Sequence, residues 1–587
     1  MKRYRHLLRL LSIILAIVVL VGFTSFCGKG DKSKGTNAAD QKMEPEVDMA
    51  LQKQAETFLE KYLADFEKAY VARATTGWVA ANSGKNEDFN AAAKAELEYN
   101  QLHSDPQRFA EIEKFIAQKD KLKPLTARSL QVAWLGFKGN QLPTDLLEKM
   151  ANMSAEIQQI FTNFRGKIDG KTYNDNALID LMKNETKSAK RQKIWEAQKQ
   201  VGEAVAAKLI ALAKVRNESA VKLGFKNYWD MQIRLQEHDP EQLMAIFDDV
   251  EKKTNEPFKA MKAKMDAEIA AKLKVKPEEL MPWHYEDPFF QKVPPSDKVD
   301  LDEFYQNKKK EEIVEIARKF YSDIDLPIDD IIAASDIYER EGKQQHAFCT
   351  SLTLKGDAHA QLNIKPTAEW MDTTLHEMGH GIYYKYADLS LPINLRDAAH
   401  PFTTEAIAML FGALSKNPTW MIAYASADPN RVKEVEGAIL EQRRREQLIF
   451  ARWTLVMLNF EKALYENPDQ DLNTLWWDMV ERYQMLKRPP KRNAADWASK
   501  IHFAIAPVYY HNYMLGELFS AQLRSSLVKL ANHQGPTYTL NYGQHKEFGK
   551  FLKEKVFAPG MTFPWPEFVK YATGEPLNAT YFAEELK

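Results

Sequence analysis

The chain has 587 residues, with 80 basic against 81 acidic side chains and a formal net charge of −1. That balance excludes the basic stripe by which nucleic-acid binders are recognised, so no nucleic-acid partner is expected. A composition of 45% hydrophobic and 27% charged residues is that of a globular protein able to bury a large core, and its two cysteines, Cys27 and Cys349, are too few for a disulfide scaffold.

The first segment does not belong to the fold. Lys2, Arg3, Arg5 and Arg9 lead into the apolar run Leu10 to Val21, the plan of an export signal over residues 1–26. Cys27 follows at the place of the acylated cysteine of a bacterial lipoprotein, although Phe26 stands where a small residue is the rule. Residues 27–48 are rich in Gly, Lys, Asp, Ser and Asn and read as a flexible tether. The expected protein is exported and attached to the membrane through an N-terminal lipid or anchor.

From residue 49 onward, apolar side chains recur at intervals of three and four. The pattern predicts helices over 49–73 and about 106–120, 144–165, 186–222, 240–272, 309–323, 432–465 and 516–531. The strand candidates are Phe348 to Leu354 and Ala360 to Ile364. No soft boundary interrupts residues 49–587, so one mostly α domain is expected.

Just after the strand candidates comes His376-Glu377-Met378-Gly379-His380, an H-E-x-x-H motif. Four residues apart on a helix, His376 and His380 share a face and can reach one cation, while Glu377 can act as a general base without being a ligand. A catalytic zinc takes three protein ligands and keeps one position open. The third candidate is Glu405, in a segment where Thr403 or Thr404 is expected to cap a new helix and put Glu405 in its first turn. These residues predict a metallopeptidase with one zinc ion.

The run His376 to Leu389, then Leu395-Arg396 and Glu405-Ala406-Ile407, resembles the zinc region of the angiotensin-converting-enzyme family of peptidyl-dipeptidases. Lys500-Ile501-His502 with the following tyrosines, Pro564-Trp565-Pro566-Glu567 and Thr573-Gly574-Glu575-Pro576 extend the likeness over roughly residues 340–577. The resemblance implies a two-lobed helical peptidase with a deep cleft and a small β element beside the motif helix. It also implies release of C-terminal dipeptides by a monomer. His346 and Ala347 would hold substrate, and Lys500, Tyr510 and Gln291 the terminal carboxylate, with Tyr509 a rival to Tyr510. His502 would contact the scissile region and Tyr513 would stabilise the oxyanion.

Two departures matter. Met409 stands where that family has an aspartate orienting a zinc histidine, and Asn512 where it has an arginine that helps bind chloride. Chloride activation is therefore not carried over. The stretch Gly342 to Thr350 and the 29-residue step from His376 to Glu405 also resemble the thimet oligopeptidase and oligoendopeptidase family. That likeness implies internal cleavage instead. A catalytically inactive peptide-binding lipoprotein is the remaining alternative.

Overall fold

The periodic segments fold as helices whose ends are set by local chemistry. The computed structural model describes residues 47–294 and 298–586. The expected export signal, Cys27 and residues 27–46 of the tether lie outside them. Among the helices are α1 (Met49–Ser83), α2 (Asn86–His103), α3 (Pro106–Ile116), α4 (Pro124–Gly139), α5 (Thr144–Asn163), α6 (Ser188–Lys222), α7 (Tyr228–Leu235), α8 (Pro240–Leu273), α9 (Lys310–Asp323), α10 (Ala368–Lys385), α11 (Pro401–Gly412), α12 (Pro429–Glu466), α13 (His511–Leu530) and α14 (Trp565–Thr573). Asp48 starts α1 by accepting the N–H groups of Ala50 and Leu51, each at 3.0 Å, and Gly84 ends it in the left-handed region. No helix among the described residues is long and apolar enough to cross a membrane.

The described strands are four, all short, in two antiparallel hairpins. β1 (Gly166–Ile168) and β2 (Lys171–Tyr173) are joined by Asp169-Gly170, both at positive φ. That Asp-Gly pair was the available sequence signal for a hairpin, but the strands are too short to show alternation. β3 (Phe348–Thr350) pairs with β4 (His359–Gln361), and both are shorter than expected. The Asp357 carboxylate accepts the Leu352 N–H at 2.7 Å and the Ser351 hydroxyl at 2.9 Å, turning the chain before Leu354. Beyond β4, Leu362 and Ile364 donate to the backbone of Asp336 and Ile337 instead.

Buried apolar side chains form two large clusters. One is built on α1 to α4 around Phe58, Tyr62, Phe66, Tyr99 and Phe137. The other runs from Trp195 and Phe247 to Met371, Ile407, Trp453 and Phe519. A cavity of about 520 Å³ lies at their seam, lined by Tyr62, Phe66 and Tyr99 from one side and by His376, Glu405 and Tyr513 from the other.

Three helices position that far side. α10 buries Met371, Leu375, Met378 and Ile382, each contributing about 1.5–3 kcal/mol of burial. The Tyr321 hydroxyl donates to the Leu375 carbonyl at 2.6 Å. α11 packs so closely on α10 that a Cβ on Gly379 would sit 2.9 Å from the Ala408 Cα. Helix propensity disfavours Gly379 by about 1 kcal/mol, yet only glycine permits this approach. Gly379→Ala is therefore expected to destabilise the fold by about 1–3 kcal/mol, read as a lowered denaturant midpoint at unchanged m-value. An unchanged midpoint would mean that the two helices can slide apart at no cost.

Candidate active site

His376, Glu377 and His380 project from α10, and Glu405 from α11. One ligand-type atom from each of His376, His380 and Glu405 falls within a 4.8 Å span. Glu405 Oε2 lies 3.4 Å from His380 Nε2. Two atoms each about 2.1 Å from a zinc ion at the tetrahedral angle are roughly 3.4 Å apart, so the donor set and its spacing suit that metal. Burial pushes the Glu405 carboxyl up, but the His380 hydrogen bond and the His376 imidazole outweigh it and hold it at about 2.

The cap of α11 differs from the expectation. The helix starts at His400, with Pro401 in its first position. His400 Nδ1 accepts the Phe402 N–H at 3.3 Å, and the Thr403 hydroxyl accepts the His400 N–H at 3.1 Å. His400 Nε2 meets the Gln236 carbonyl at 2.8 Å, which requires the neutral ring protonated at Nε2. Glu405 thus stands in the second turn rather than the first. Thr404 is freed from capping, and its hydroxyl meets His380 Nδ1 at 2.8 Å. This contact leaves His380 Nε2 turned toward Glu405. It supplies the orienting partner that Met409 cannot, and sequence reasoning missed it.

Glu377 is buried, and its Oε2 has no hydrogen-bond partner among the described residues. Burial raises its carboxyl to about 7, against the pull of His376. Cys349 lines the same cavity, where burial, with Glu377 adding, holds its thiol well above the usual range. A thiol so held is protonated and a poor nucleophile.

The tyrosine run enters beside Glu405. Tyr509 and Tyr513 line the cavity with ring centroids 5.3 Å apart, and Tyr510 lies 5.4 Å from Tyr513 on its other side. Burial raises all three phenols, with Glu405 adding at Tyr509 and Tyr513. Just before them Val508 has a φ of 52°, an unfavourable state for a β-branched residue worth about 1–3 kcal/mol. Glu461 holds it there by accepting the Val508 N–H at 2.8 Å, and Gln236 by donating to the Val508 carbonyl at 3.0 Å. Asn512 donates to Gln236 Oε1 at 2.8 Å within a buried set that includes His238, His400 and His511.

On the far side of Tyr510 three distant residues converge. The Lys500 ammonium donates to Gln291 Oε1 at 2.7 Å, and the Tyr510 hydroxyl approaches the same oxygen at 3.5 Å. Asp287 steadies Gln291 by accepting from its side-chain amide at 3.3 Å. Lys500 is buried among Phe289, Trp453 and Tyr510, and burial lowers it to about 8 despite Asp287. His502 packs 5.2 Å from the Tyr510 ring, its Nδ1 is buried and unpartnered, and burial followed by Lys500 brings it to about 3. Lys500, Gln291, Tyr510 and His502 are not among the residues lining the cavity, and neither is His346, whose side chain is exposed. Ala347 does line it.

The fold and the site are those of a helical protein whose cavity, carrying a His-His-Glu cluster, lies between two packed clusters. A profile of the family described as angiotensin-converting enzyme matches residues 49–583, and the chain belongs to that peptidase family. It is similar to angiotensin-converting enzyme of Oryctolagus cuniculus, 29% identical over 207 residues, covering 34% of this chain and 16% of the relative. The same-named protein of Theromyzon tessulatum is 29% identical over 212 residues, covering 35% of this chain and 34% of the relative. Carboxypeptidase 1 of Bacillus subtilis is 26% identical over 265 residues, covering 41% and 52%. The chain therefore spans between a sixth and about half of these relatives' lengths.

Proposed function

We propose that the chain is a zinc-dependent exopeptidase that releases dipeptides from the C-terminus of oligopeptides. One observation carries the reading. The His376, His380 and Glu405 cluster, an unpartnered buried carboxylate at Glu377 and the Lys500, Gln291 and Tyr510 group meet around a single run of tyrosines. Held by the first three residues, zinc would supply Lewis acidity that no side chain here provides. Glu377 takes the proton of the attacking water and returns it to the leaving amine. Tyr513, kept protonated by burial, donates to the oxygen that gains charge, a contact typically worth about 3 kcal/mol. Lys500 donates to the substrate's terminal carboxylate while Tyr510 and Gln291 fix its direction. His502 packs on the Tyr510 ring, and Tyr509 lines the cavity beside Tyr513.

The name of the Bacillus relative supports cleavage at the same end of the substrate. The leader over residues 1–26, with Cys27 as its anchor, supports an envelope location. An internally quenched hexapeptide, offered with a free or an amidated C-terminus and read by product mass, tests the proposal. Loss of dipeptides from the free acid alone is expected. Loss of single residues would make it a carboxypeptidase, and equal internal cleavage of both forms an oligoendopeptidase. No cleavage despite bound zinc would leave a peptide-binding protein.

Thr404→Val keeps the shape of the side chain and removes the hydroxyl at His380 Nδ1. Zinc affinity is expected to fall about 10- to 100-fold, measured by competition with a chromogenic chelator. Unchanged affinity would mean that His380 is oriented by packing alone.

A further inference from the structure

The cavity has a second polar corner that the proposed hydrolysis does not use. It is walled by Tyr62, Tyr70 and Tyr99 of α1 and α2, and Arg73 and Asp397 line it. The Arg73 guanidinium lies 4.2 Å from the Tyr99 ring centroid and 5.5 Å from that of Tyr70, which fixes its plane. Its neighbours enclose it, so the surface it keeps faces the cavity. It makes no hydrogen bond or ion pair with any described residue. Asp397 is enclosed as well, and its carboxylate accepts only the N–H of the adjoining Ala398, at 2.7 Å.

Arg73 and Asp397 influence each other electrostatically without forming an ion pair. Glu96 lies behind Arg73, with a buried, unpartnered Oε1. The corner thus combines guanidinium N–H donors and a carboxylate edge that are half-buried, open on the cavity and met by no other described side chain. An opposed donor fork and carboxylate edge on one cavity wall suit a ligand carrying both an acceptor and a positive donor. A peptide's first residue carries that pair on adjacent atoms. Two carboxylates against one guanidinium favour an incoming ammonium over an acidic side chain. The corner also shares its cavity with the chemistry, since Asp397, Tyr384 and Glu377 all line it.

We propose that Arg73 and Asp397 hold the free N-terminus of short peptide substrates, Asp397 receiving the α-ammonium and Arg73 donating to the first carbonyl oxygen. The inference rests on the reading that this cavity binds peptides. Together with the proposed role of Lys500 on the terminal carboxylate, it makes the enzyme one for short oligopeptides held at both termini.

The test compares tetrapeptides with free and N-acetylated termini, in hydrolysis by the full chain and in calorimetric binding to the full chain carrying Glu377→Gln. Acetylation is expected to lower kcat/KM and affinity by at least about tenfold. In Asp397→Asn the ratio between the two peptides should collapse to near one while the acetylated peptide is still cleaved. The wild-type comparison stands even if that variant fails to fold. Equal handling of free and acetylated peptides overturns the proposal. A preference for N-terminal glutamate that survives acetylation overturns it too, reassigning Arg73 to an acidic side chain. Discrimination in binding without any hydrolysis would uphold the N-terminal site while sinking the hydrolytic reading. Absence of both binding and cleavage would sink the two together.

Discussion

Glu377→Gln is expected to lower kcat by about 10²- to 10⁴-fold with little change in KM, zinc content or stability. The amide keeps the size of the carboxyl but cannot accept a proton. Glu377 stands outside the cluster of metal-type atoms, so the change removes no ligand. Its Oε2 makes no hydrogen bond among the described residues, so the change breaks no structural contact there. Burial already disfavours its charged form, which is why its carboxyl is raised to about 7. A neutral amide in that place relieves desolvation instead of adding to it. The measurement is steady-state turnover normalised to bound zinc, alongside a thermal melt. Activity retained within threefold would remove Glu377 as the base. Activity lost together with zinc would show that it helps to hold the metal.

Much of this site was legible because its parts are local patterns. The His376 and His380 pair needs only a helix, and the apolar spacing around Met371, Leu375, Met378 and Ile382 announced one. The long helices were legible for the same reason, α8 over Pro240–Leu273 against an expected 240–272 being typical. Other features depended on partners far away in the chain. Thr404 looked like a cap because capping is a local property, and it gave up that role to His400, whose ring is fixed by Gln236 at 2.8 Å. The left-handed φ of Val508 has no sequence signal at all, because a valine adopts it only when Glu461 and Gln236 hold it there. Arg73 and Asp397, 324 positions apart, line one cavity only because α1 packs near the loop that precedes α11. The convergence of Gln291 with Lys500 was legible only through the family resemblance, since 209 residues separate them.

Lys500→Met should abolish the preference for a free C-terminal carboxylate, lowering kcat/KM on such peptides by roughly 30- to 1,000-fold, equivalent to about 2–4 kcal/mol, and leaving amidated peptides nearly unaffected. The magnitude follows from losing a desolvated, charge-assisted contact rather than a surface ion pair, which would be worth under about 1 kcal/mol. The pH dependence separates a clamp from a structural lysine. Burial lowers Lys500 from 10.5 to about 8, so the ammonium is present below that pH and lost above it. Activity on free-acid peptides should therefore fall as pH rises through about 8, while activity on amidated peptides does not. Stability should move the other way. Between pH 8 and 10.5 the unfolded chain binds the proton that the folded one has given up, so this group adds stability as pH rises. In Lys500→Met both dependences should flatten, and the buried thioether, which carries no charge to desolvate, should leave the fold as stable or more so. A variant that loses stability and both activities together would make Lys500 a packing residue, and the terminal carboxylate would then have to be held elsewhere.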